Sequence, residues 1–132
     1  MNRVFVDTSA IFSLLTPEDR AHHRAKQAFS ALTGREAKLI TSSYVLVETH
    51  ALLGRRFGIV ANERLREDFE PLVDVVWVDR DLHQKGLDLL IARGRRGLSL
   101  VDATSFVLID EQRIDEVFAF DRHFEAEGFI IA

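Results

Sequence analysis

The sequence predicts an α/β domain: a central, mainly parallel sheet flanked by helices in three layers. Three observations predict it. Short β-branched and aromatic runs alternate with longer segments whose apolar residues recur every three or four positions, the pattern of strands joined by helical crossovers. A chain of 132 residues suits one domain rather than two, so residues 1–132 read as a single unit. Hydrophobic residues at 47% and charged residues at 29% suit a globular chain with an apolar core, which excludes a disordered chain, a collagen-like repeat or a low-complexity linker.

Each element follows from local chemistry. Arg3-Val4-Phe5-Val6 reads as a buried strand that stops in a turn at Asp7-Thr8-Ser9. Thr16-Pro17-Glu18-Asp19 carries a cap, a proline and first-turn acids, and so predicts a helix start. Its apolar side is Ala21, Ala25, Ala28, Phe29 and Leu32, with Gly34 as the stop. Lys38 to Thr41 reads as a second strand, Ser43 to Phe57 as a helix stopped by Gly58, and Asn62 to Phe69 as a more polar helix. Val73 to Val78 predicts a third strand and Asp81 to Arg93 the helix after it. The basic turn Gly94-Arg95-Arg96-Gly97 leads into a helix from Ser99 to about Gln112. Val117 to Phe120 is the fourth strand, and Phe129 to Ile131 is a candidate fifth. There is no internal repeat and no linker.

Composition narrows the chemistry. With no cysteine there is no disulfide, thiolate nucleophile or cysteine-ligated metal. No stretch approaches the 18 apolar residues of a membrane span, and the first residues lack the pattern of a signal peptide, so a cytoplasmic protein without a membrane is expected. The net charge of −4 argues weakly against an extended nucleic-acid binder. If four acids were gathered into one site, however, the rest of the surface would be neutral.

Most acids fall where a solvated face is expected, among them Glu63, Glu67, Asp68, Glu70, Glu111, Asp115, Glu116, Glu125 and Glu127. Four do not. Asp7 follows the first strand and Asp121 the fourth, placing both where open α/β sheets bind ligands, although each could simply cap a turn. Glu48 has Tyr44, Val45, Ala51 and Leu52 three and four positions away, so it is an acid on an apolar stripe that needs a metal or a partner such as Arg55 or Arg56. Asp102 stands near the start of an almost wholly apolar helix, three positions after Ser99, where a capping box and metal ligation are compatible. Four like charges at one sheet edge would repel, and a divalent cation removes that problem. An all-oxygen ligand set suits Mg²⁺ or Mn²⁺ better than zinc. His22 and His23 read as exposed histidines rather than ligands.

The ordered set Val-Asp-Thr-Ser-Ala, Val-Glu-Thr, Leu-Val-Asp-Ala-Thr-Ser-Phe and Ala-Phe-Asp-Arg-His-Phe resembles the PIN domain, and most of all the single-domain VapC-type toxins of toxin–antitoxin pairs. The likeness runs over essentially the whole chain. It implies a metal-dependent ribonuclease on a PIN-like fold, with Asp7, Glu48, Asp102 and Asp121 as catalytic and metal-holding acids and Ser9 supporting the site. Ala119 departs from the family, many of whose members carry Ser or Thr two residues before the last acid. Arg93, Arg95, Arg96 and Arg122 are the expected contacts to the RNA backbone, while Gly94-Arg95-Arg96-Gly97 could equally be a solubilising turn. The resemblance further implies an antitoxin partner and a homodimer. Leu14, Leu15, Leu52, Leu53 and Phe57 are candidates for such interfaces, with a place in the core as the alternative. Two other readings stay open. A PIN-like module that only binds would keep the fold without activity. A receiver-like phosphoacceptor would need paired acids after the first strand and a late lysine, whereas Asp7 stands without an acidic neighbour and no lysine follows Lys85. A nucleotide-binding fold is disfavoured because no glycine-rich phosphate loop occurs.

Overall fold

A computed structural model describes residues 2–132. Its centre is a four-stranded sheet formed by β1 (Arg3–Val6), β2 (Lys38–Ser42), β3 (Asp74–Val76) and β4 (Glu116–Phe118). The order is β3-β2-β1-β4 and every pairing is parallel, with Val4 opposite Leu39 and Phe5 opposite Val117. Val4, Phe5 and Val6 are buried, as expected of a strand covered on both faces. Seven helices flank this sheet to complete the three-layer α/β fold. They are α1 (Thr8–Leu15), α2 (His22–Gly34), α3 (Ser43–Phe57), α4 (Ile59–Arg64), α5 (Arg80–Arg93), α6 (Leu100–Glu111) and α7 (Arg122–Ala126). Phe5, Phe106, Phe118 and Phe124 are fully buried, and the rings of Phe106 and Phe124 meet edge to face at 5.1 Å.

Several expectations are corrected. Thr8 and Ser9 do not end in a turn but open α1, because Asp7 caps that helix. Thr16-Pro17 does not start a helix. It lies in a turn: Asp19 Oδ2 accepts hydrogen bonds from Ser13 Oγ at 2.8 Å and Ala21 N at 3.0 Å, and so delays α2 until His22. The polar helix begins earlier than expected, at Ile59, directly after Gly58 at φ +84°. It then widens into a π-helical turn at Leu65–Phe69 that buries Leu65 and Phe69. The third and fourth strands are shorter than read, and the candidate fifth strand is reduced to one bridge between Ile131 and Val117 on the outer edge of β4.

Two features place the site. Helices α5 and α6 approach closely at Gly86, where a Cβ would sit 2.3 Å from Thr104 Oγ1 and 3.0 Å from its Cα. Only glycine leaves room for α6 to lie that near. At the other side of the sheet, Thr8 Oγ1 lies 3.3 Å from Val45 O, and Thr49 Oγ1 donates to the same carbonyl at 2.7 Å. Thr49 Oγ1 is also 3.1 Å from Thr8 Oγ1. These buried hydroxyls fasten the start of α1 to α3, and each belongs to the residue after a candidate acid.

Candidate active site at the carboxyl edge of the sheet

Three of the four candidate acids take part in helix capping, Asp7 and Asp121 as N-caps and Asp102 as the partner of the N-cap Ser99. Asp7, 2% exposed, ends β1 and caps α1: its Oδ2 accepts from Ser9 N at 3.1 Å and from Ser9 Oγ at 2.7 Å. Asp102 forms the expected capping box, its Oδ2 accepting from Ser99 N at 3.2 Å while its own N–H donates to Ser99 Oγ at 3.0 Å. Asp121, three residues beyond the end of β4 rather than directly after it, caps α7 through His123 N at 2.9 Å. A carboxylate at a helix N-terminus is favoured by the backbone dipoles, so capping and anchoring are met by one residue. Glu48 differs. It makes no hydrogen bond or ion pair among the described residues, and Arg56 reaches Glu18 instead, at 4.0 Å.

Burial and mutual repulsion define the electrostatics. Burial pushes the Asp7 carboxyl from its ordinary 3.8 up to about 7, the Ser9 bonds pull it down, and the charges of Asp102 and Glu48 push it up again. Asp102 is also raised, first by burial and then by the charges of Asp121 and Glu48, with the Ser99 bonds opposing. The four acids therefore share one electrostatic neighbourhood. Asp7 Oδ1 is buried with no hydrogen-bond partner, a lone oxygen with unmet acceptor capacity. This orphaned oxygen, in an oxygen-only ligand set, fits a hard divalent cation. Among the described residues no three Asp, Glu or His side chains already form a closed metal-binding group.

Ser9 does more than support one carboxylate. Its Oγ also accepts from Phe120 N at 2.9 Å, tying the segment after β4 to Asp7. The hydroxyl that Ala119 lacks is thus matched by a bond from the β1 side. The sequence reading missed Thr8 and Thr49, although the signal was present in a threonine directly after each of two acids. The arginines divide. Arg93 contacts Glu127 through Nε and Nη2 at 2.8–3.2 Å, and Arg95 reaches the same carboxylate at 3.0 Å. Glu127 is therefore not a solvated acid, and Arg93 foremost holds its carboxyl below the usual range. Glu116, paired with Arg35 at 2.8 Å, and Glu70, 2.8 Å from His50 Nε2, also leave the solvated set. Arg96 and Arg122 form no ion pair among the described residues.

Away from the acids, α1, α3 and α4 with the π-helical turn enclose an apolar groove of about 660 Å³. Leu14, Leu15, Leu53 and Phe57 line it, and Leu53 also belongs to the core. His22, expected to be free on the surface, borders this groove and hydrogen-bonds Ser13 O through Nδ1 at 2.8 Å.

The family described as the PIN domain matches residues 4–129. The chain belongs to the PIN domain family. It is 35% identical over 130 residues to the 23S rRNA-specific endonuclease VapC20 of Mycobacterium tuberculosis, in two strains, covering 96% of this chain and 95% of that protein. The crystal structure of Mycobacterium tuberculosis VapC20, described as a Sarcin-Ricin loop cleaving toxin, superposes with a TM-score of 0.84 at 34% identity over 98% of both chains. FitAcB from Neisseria gonorrhoeae, at TM-score 0.70 and 16% identity, covers 98% of this PIN domain and 96% of its own chain, and shares the fold. VapBC2 from Rickettsia felis, bound to a DNA fragment from its promoter, shares it at TM-score 0.65 and 10% identity over 98% and 96% of the two chains. Among the described residues no helix of this PIN domain is long and apolar enough to cross a membrane.

Proposed function

We propose that this PIN domain is a divalent-metal-dependent ribonuclease, the toxin of a toxin–antitoxin pair. The observation that carries the reading is the buried, unpartnered Asp7 Oδ1 within the charge field of Asp102 and Glu48. The likeness to VapC20 over nearly the whole chain supports 23S ribosomal RNA as the substrate to test, and with it a cytoplasmic site of action.

Asp7, Asp102 and Asp121, with Glu48 directly or through water, would hold Mg²⁺ or Mn²⁺. When bound, such an ion supplies the Lewis acidity that phosphodiester hydrolysis needs. The protein's part is placement. Ser9 fixes Asp7 Oδ2 and leaves Oδ1 free to ligate, and Ser99 fixes Asp102 Oδ2 in the same way. Thr8 and Thr49 hold the helix bearing Glu48 against the strand end bearing Asp7. Arg96 and Arg122 are available to hold backbone phosphates, whereas Arg93 and Arg95 share one carboxylate and retain one net positive charge between them. No side-chain nucleophile enters, so the lack of cysteine is without consequence.

Purified protein incubated with total RNA, with Mn²⁺ and separately with chelator, should cut 23S ribosomal RNA at a defined position only with metal. End mapping that finds the same cut under chelation, or none in either condition, would overturn the reading. The apolar groove is proposed as the seat of an apolar antitoxin segment, and the exposed apolar residues Leu15 and Phe57 on its rim as further contact surface for self-pairing. Light scattering at micromolar concentration should give twice the monomer mass; a monomer would remove the homodimer.

A further inference from the structure

Beside Asp121 lies a second cavity of about 310 Å³ whose wall includes Arg24, Phe120, Asp121, Arg122 and Glu125. Arg24 comes from α2, far from any motif. Its guanidinium carbon lies over the Phe120 ring at 5.2 Å from the centroid, a cation–π contact. The contact uses none of the guanidinium N–H donors in a hydrogen bond, and Arg24 makes no hydrogen bond or ion pair among the described residues. Phe120 is itself held in place, because its backbone N–H donates to Ser9 Oγ, the same hydroxyl that fixes Asp7. One serine therefore sets both the catalytic carboxylate and the ring on which Arg24 rests.

Resting on the ribonuclease reading, we propose that Arg24 and Arg122 form a phosphate-binding subsite next to Asp121 that takes one backbone phosphodiester of the RNA strand. The cavity stands at the lower end of the sizes that hold small molecules, about 300 Å³, which suits one nucleotide unit rather than a duplex. A planar guanidinium resting on an aromatic ring can present paired donors to two phosphate oxygens. Glu125 and Asp121 on the same wall oppose an anion and balance the two guanidinium groups in charge, so the subsite rests on the free donors of Arg24 rather than on a cationic wall. Phosphate contacts set the register of a strand without reading its bases, so this subsite would fix which linkage meets the acids.

The test is binding of a fluorescein-labelled single-stranded RNA 12-mer to the full chain in chelator, followed by anisotropy across a salt series. Arg24→Ala should bind about tenfold more weakly at low salt, and the slope of log affinity against log salt should shrink by about 0.7, the share of one phosphate contact on a single strand. Arg24→Lys should keep the slope yet stay several-fold weaker, because an ammonium cannot bind bidentately. Arg66→Ala, on the π-helical turn, should match wild type. Equal thermal midpoints confirm that the variants fold. Wild-type affinity and slope in Arg24→Ala would overturn the subsite, and full recovery in Arg24→Lys would overturn the bidentate geometry. RNA binding without Mn²⁺-dependent cleavage would sink the ribonuclease reading while leaving the subsite standing. Cleavage by wild type with Arg24→Ala unaffected in binding would do the reverse.

Discussion

Asp7→Asn is expected to end RNA cleavage and at the same time to stabilise the metal-free protein. The loss of activity should reach about a thousandfold or more, since a metal-anchoring carboxylate supports several kcal/mol of transition-state stabilisation and each 1.36 kcal/mol is tenfold in rate. The stability gain follows from linkage. An unfolded Asp ionises near 3.8, but in the folded protein burial holds Asp7 protonated up to about 7. Between those values the folded state binds a proton that the unfolded chain has lost, so stability falls as pH rises through that window. Above about pH 7 the penalty is complete, with a ceiling of about 4 kcal/mol for a shift of some three units. The Asn amide oxygen can still accept from Ser9 but does not titrate. Urea unfolding in chelator should therefore show wild type losing stability from pH 4 to 7.5 relative to the variant, with the gap widest at the top. Parallel curves would show that Asp7 is not the strained acid.

Adding Mn²⁺ to wild type should produce the next largest effect. A ligand that binds only the folded state stabilises it by about 2.7 kcal/mol at a hundred times its dissociation constant. For a domain of this size that is roughly a 10 °C rise in melting temperature, at about 3–4 °C per kcal/mol. The rise should depend on concentration and shrink in Asp7→Asn, Asp102→Asn and Asp121→Asn, each of which loses a ligand as well as a repulsive charge. Ordinary caps would behave otherwise: their loss would cost up to about 1 kcal/mol, and metal would shift every protein equally. Equal shifts in all four proteins would place the ion elsewhere and remove the metal site.

Much of the candidate site was legible because its acids break local rules. Glu48 on an apolar stripe and Asp102 in an apolar helix are costly unless something compensates, and that cost is visible in a linear sequence. The element boundaries that came out right, Ser43 to Phe57 above all, have a serine cap and a glycine stop written at their ends. The errors arose where a side-chain partner, near or far along the chain, overruled a local signal. Thr16-Pro17 has the chemistry of a helix start, yet Asp19 is claimed by Ser13 and Ala21, and the chain turns instead. Glu127 looked solvated in sequence because the arginines that bury it lie more than 30 positions away.

By itself the sequence determined the α/β class and singled out the four acids as candidates, since periodicity, caps and acids at odds with apolar neighbours are properties of residues close along the chain. Only the tertiary structure decided how those acids act on one another. That Asp7 is pushed up to about 7 depends on which side chains exclude water around it and on Asp102 and Glu48 arriving from other helices. That Ser9 links Asp7 to Phe120, and Phe120 carries Arg24, depends on β1 and β4 lying side by side. Desolvation and through-space charge have no counterpart in sequence spacing, because both are set by packing between segments that the chain itself keeps far apart.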